Sequence, residues 1–138
     1  MTKTESHPAA DAMAAVIRRY EAAEARVKEQ TEDTIRSLKT NGSQAIVADY
    51  RYLFRNEAER DAYGRVIAAF NRDGRITLEA VAGVLDAEIE RIKYDLIHGI
   101  GRDNSSCPVR NARSIVTAEA VRGVLDDLCR IKEDMDQG

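Results

Sequence analysis

The stretch "NRDGRITLEAVAGVLD", Asn71 to Asp86, returns forty residues later as "NARSIVTAEAVRGVLD", Asn111 to Asp126. Nine of the sixteen aligned positions are identical: Asn71, Thr77, Glu79, Ala80, Val81, Gly83, Val84, Leu85 and Asp86 with their partners. Ordinary residue frequencies would give about one match, so the chain carries an internal duplication. The shared residues amount to a helix cap, an apolar stripe and a glycine. Thr77 and Thr117 are expected at N-cap positions, where a hydroxyl accepts from an early helical N–H. Val81, Val84 and Leu85, like Val121, Val124 and Leu125, fall on one helical face. Two copies are too few for a solenoid, which needs about three units. A pair of helices related by a pseudo-twofold is expected instead.

Working outward, the apolar phase continues from Leu85 through Ile89, Ile92 and Leu96, which predicts one helix over 77–98. From Thr117 the stripe Val121, Val124, Leu125, Leu128 and Met135 predicts a second helix over 117–135, with the acidic end "KEDMDQG" fraying. Upstream, Ser6 and Pro8 mark a helix start and Asn41-Gly42 a stop, bounding a helix over 9–40, roughly 45 Å long. Its apolar residues are sparse, and Met13, Ile17 and Tyr20 are expected to seek a partner. Ser43 is read as the cap of a helix over 43–55 carrying Ile46, Val47, Tyr50, Leu53 and Phe54. "NEAE", Asn56 to Glu59, has the form of a capping box and opens a helix over 57–71 with Tyr63, Val66, Ile67 and Phe70. Five helices result, with "RIT" and "SIV" available to pair as a minimal two-stranded ribbon. Residues 1–42 read as a dimerisation arm and 43–138 as the helical core.

The composition agrees with a mainly α class: hydrophobic residues make up 43%, charged residues 33% and aromatic residues 5%, with no Trp and two Pro among 138 residues. The core must therefore be aliphatic. A net charge of -3 gives no general attraction to nucleic acid or anionic lipid. No run approaches the ~20 apolar residues of a membrane span, and the first residues lack a secretory h-region. The two cysteines, Cys107 and Cys129, have no CxxC spacing and are expected as reduced thiols in a cytoplasmic protein.

Few residues invite chemistry. "NRDGRIT" resembles the middle of an EF-hand calcium loop, but the first and twelfth ligand positions fall on Ala69 and Ala80. Without those carboxylates the oxygen count is too low for calcium, so turn formation is the expected role. The two histidines, His7 and His98, have no Cys, Asp or Glu at metal-ligand spacing. Glu88, Glu90 and Asp95 are spaced like a solvated helix face. No nucleotide or nucleophile motif occurs, so neither an enzyme nor a cofactor is expected.

Two functional expectations follow. The first is a non-enzymatic interaction protein that binds a protein partner and self-associates into a homodimer. Its interaction face would comprise Met13, Ile17 and Tyr20, with Gly83 and Gly123, which lie nearly opposite the repeat stripes and permit close helix approach. The second is a DNA-binding regulator, because the order helix, "RIT", helix, helix, Arg-rich loop, "SIVT" is similar to a winged helix-turn-helix. That resemblance implies Arg91, Tyr94 and His98 facing the major groove and Arg102, Arg110 and Arg113 on a wing meeting phosphates. The carboxylates of Glu90 and Asp95 on the same face oppose it.

Overall fold

The computed structural model describes residues 7–99 and 107–137, with the side chains of 45–48, 108 and 109 excepted. They form four helices: α1 (Pro8–Asn41), α2 (Gln44–Asp73), α3 (Leu78–His98) and α4 (Pro108–Gln137). No strand occurs among the described residues.

Helix α1 starts where proline presets the backbone, and the His7 imidazole accepts from the Ala10 N–H at 3.3 Å. Gly42, at φ 63, turns the chain, and α2 returns alongside α1. Where two helices were expected over 43–55 and 57–71, α2 is continuous. Phe54, Ala58, Ala62, Val66 and Phe70 form an unbroken i+4 row, so a break at Asn56 would interrupt the packing face. Glu59, free of any capping role, instead pairs with Arg26 of α1 and with Arg55. Gly74 ends α2 in the left-handed region and donates to the Phe70 carbonyl at 2.9 Å.

Thr77 caps α3 as expected, its hydroxyl accepting from the Ala80 N–H at 3.1 Å. Thr117 does not cap α4. That helix opens nine residues earlier at Pro108, and its row Val116, Ala120, Val124, Leu128 runs unbroken through the expected start. The expected ribbon is therefore absent: Arg75-Ile76-Thr77 is the turn before α3, while Ser114-Ile115-Val116 lies inside α4. The acidic end is helical to Gln137 and buries Met135.

The core is aliphatic. Leu85, Ile92, Leu128, Val16, Val66, Val81 and Val124 are its largest fully buried side chains. Ala9, Ala12 and Val16 of α1 belong to the same cluster, and Met13 and Tyr20 pack against it. The two repeat helices present different faces to it. Leu85 is fully buried whereas its counterpart Leu125 is half-buried, and Val84 is half-buried whereas Val124 is buried. Both repeat helices touch the other three, but α4 makes the more extensive contacts with α1 and α2 and turns Val124 rather than Leu125 inward.

Helix lengths leave the bundle uneven. At 1.5 Å per residue, α1, α2 and α4 run about 45–50 Å and α3 only about 30 Å. Beyond the end of α3 three helices continue alone. Among the described side chains from Glu24 to Asp61, none is buried.

Candidate functional site

Three places in the bundle hold polar or exposed groups in arrangements that the packing alone does not require. The first is a polar knot on Asp127. Tyr63 of α2 donates its hydroxyl to the Asp127 carboxylate at 2.7 Å, and Arg19 of α1 forms an ion pair with the same carboxylate. Arg130 stands 3.9 Å away on the exposed side. Burial, and then the hydrogen bond to Asp127, push the Tyr63 phenol well above the ordinary tyrosine range. One carboxylate thus fixes the relative positions of α1, α2 and α4. All of its partners are satisfied within the chain, which gives it a structural role.

The second place is the part of the bundle toward the Gly42 turn, the end of α3 and the start of α4. Six large apolar side chains are exposed there: Ile35 and Leu38 on α1, Tyr52 on α2, Tyr94 and Ile97 on α3, and Ile115 on α4. Tyr52 and Tyr94 are 63% and 64% exposed, which is far from core behaviour. They are distributed over all four helices. Thr34 of α1 donates to Asp49 of α2 at 3.3 Å and helps hold the two helices together there. On α4, Arg113 covers the Phe54 ring at 5.1 Å.

The third place is a cleft of about 650 Å³ between α2 and α3. Its floor is made by small residues, Ala69, Ala80, Gly83 and Ala87, with Val84 beside them. Nothing lies within 4 Å of a Cβ placed on Gly83. Arg72, Asp73, Arg75, Glu79 and Glu88 border the cleft. Asp73 accepts both Arg75 Nε at 2.9 Å and Arg75 Nη2 at 3.1 Å, which holds its carboxyl below the usual range. These two charges satisfy one another, and Asp73 serves turn geometry. Glu88 is different: it is 7% exposed and has no hydrogen bond or ion pair among the described residues. Arg72 likewise has no ion pair among them.

The expected face of Met13, Ile17 and Tyr20 is divided. Tyr20 lies with its ring 3.2 Å from where a Gly64 Cβ would stand and donates to Glu24 at 2.9 Å. Ile17 is 41% exposed, while Met13 is partly covered by the core. Gly83 and Gly123 both face open space. Among the described residues the winged helix-turn-helix order is not seen: Asp86 and Ala87 lie within a continuous α3, and the "SIVT" segment is helical. Arg91 is exposed on α3, and the Tyr94 ring lies 4.4 Å from that of His98. Arg110 and Arg113 project from α4, and Arg102 lies outside the described residues. Among the described residues no three His, Cys, Asp or Glu side chains group as a metal site, and neither Cys107 nor Cys129 forms a disulfide. No helix of the described residues is long and apolar enough to cross a membrane.

Glu88 corrects the expectation of a solvated Glu88, Glu90, Asp95 face. Val81, Leu85, Glu88 and Ile92 share one core-facing row, so the helix carries Glu88 inward while Glu90 stays exposed. The signal was present just past the repeat: extended by two positions, the alignment sets Glu88 against Leu128, a fully buried core residue. No family model, curated protein or solved structure matches the chain.

Proposed function

We propose that the protein is a non-enzymatic helical interaction protein that acts through protein–protein contacts and self-associates into a homodimer. One observation carries this reading: large apolar side chains stay exposed on all four helices toward the Gly42 turn, the end of α3 and the start of α4. Tyr52 and Tyr94, 63% and 64% exposed, offer large apolar area of the kind that another protein surface covers. Tyrosines among aliphatic residues suit such contacts, since each ring offers large area at a low entropic cost. Two cysteines that form no disulfide fit a reducing compartment, and we read the protein as cytoplasmic.

A photo-crosslinking amino acid placed at Tyr52 tests the reading in the cell of origin. Discrete protein adducts are expected from position 52 and not from the exposed polar position Glu21 on the other half of the hairpin. Equal, diffuse labelling from both positions would contradict it.

A further inference from the structure

We propose that the cleft between α2 and α4 binds a small organic carboxylate, held at its acid end by Arg65 and along its apolar body by Phe54. The cleft encloses about 260 Å³, a little under the ~300–1,000 Å³ of clefts that take drug-sized molecules. Arg65 lines it from α2, half-buried, and its Nε–H is closed to water without a hydrogen-bond partner among the described residues. Arg65 forms no ion pair among them either. Asp61, one turn earlier on the same helix, stands at the usual spacing for such a pair. Its carboxylate is instead taken by Arg60 at 3.0 Å. A charged donor left without an acceptor is costly where water does not reach it. The guanidinium edge formed by Nε and one Nη makes two parallel hydrogen bonds to a carboxylate. A turn about the outer bonds of the side chain presents that edge to the cleft.

The other lining residues decide the class of ligand. Ala58 and Ala62 of α2 and Val121 of α4 give the cleft an apolar floor, and Thr117 adds one hydroxyl. At the far end, about 16 Å along α2 from Arg65, the Arg113 guanidinium lies 5.1 Å over the Phe54 ring and closes the cleft with a second positive charge. Glu57 and Asp61 also border it. With Arg60 beside Asp61, three cations face two carboxylates, which a single negative charge balances. A dianion such as a phosphate ester would meet the surplus acid instead. An acidic side chain of a partner protein would bring a polar backbone and few methylenes onto the floor, whereas a free acid with a compact apolar body fills it.

A fluorine-NMR titration of the full chain with 4-fluorobenzoate tests the site. Saturable binding is expected, with a Kd of ~1 mM. The neutral 4-fluorobenzamide has the same shape and should bind about tenfold more weakly or worse, a comparison that needs no variant. Both 4-fluorophenyl phosphate and the capped peptide acetyl-Ala-Glu-Ala-amide should also bind more weakly than the acid. Arg65→Gln should weaken 4-fluorobenzoate about tenfold or more. Arg65→Lys should restore only part of that loss, since lysine keeps the charge but not the two-pronged edge. Glu57→Gln should tighten binding, because a neighbouring negative charge is removed. Arg122→Gln, at an exposed arginine of α4 outside the cleft, should change nothing. No saturation by about 10 mM, equal binding of acid and amide, or Arg65→Gln binding equal to wild type would overturn the site. Tighter binding of the phosphate or the peptide would overturn a free carboxylate as its ligand.

Discussion

At the scale of single residues, burial decides which half of the duplication bears weight. Leu85 is fully enclosed, so Leu85→Ala should cost about 2–5 kcal/mol. Leu125, its identical counterpart, is half-buried, and Leu125→Ala should cost clearly less in urea denaturation. Equal costs would mean that α3 and α4 present the same face to the core. The Tyr63–Asp127 hydrogen bond makes a second, pH-dependent prediction. Folding favours the neutral phenol, raising its pKa, so this stabilisation is complete below about pH 10. It is lost as pH rises from there toward the raised folded value. Tyr63→Phe should cost about 1–2 kcal/mol at neutral pH and should flatten part of the alkaline fall in melting temperature. An identical alkaline slope in wild type and variant would contradict the hydrogen bond as a stabilising contact.

At the scale of helices, the caps distinguish what is used from what only looks usable. Thr77→Ala should destabilise by about 1 kcal/mol because its hydroxyl holds the Ala80 N–H. Thr117→Ala should be neutral or slightly stabilising, since Thr117 lies inside α4 and alanine is the better helix former. Comparable losses in thermal melts would place the start of α4 at Thr117 after all. The bounds of α1 and α3 were legible because proline, glycine and threonine there act locally. The fusion of α2 and the early start of α4 were not, since capping signals at Asn56 and Thr117 are overridden by apolar rows that continue across them. Alanines at 58, 62 and 120 carry those rows, and alanine is a weak hydrophobic signal in sequence although it buries well between close helices. The polar partners were less legible still. Asp127 lies one position past the shared stretch, and its pairing with Arg19 and Tyr63 joins three distant segments. Of the expected interaction residues, Gly83 lies in the α2/α3 cleft, whereas Met13 and Tyr20 pack against the core.

At the scale of the whole molecule, one half of the bundle is packed by four helices and the other half by three. Ala9, Ala12 and Val16 belong to the four-helix half. Deleting residues 1–23 is therefore expected to abolish the cooperative thermal transition. A truncated chain with an intact transition would show that α1 is dispensable to the core. Toward the Gly42 turn, the end of α3 and the start of α4, large apolar side chains of all four helices stay exposed. That exposure has a physical rationale if the chain works in contact with another chain. The native mass of the full-length protein, measured by sedimentation equilibrium at rising concentration, tests that claim most directly. The account predicts twice the 15.4 kDa of one chain. A mass of one chain across the whole range up to about 100 μM, well above the Kd of a moderately stable dimer, would contradict it.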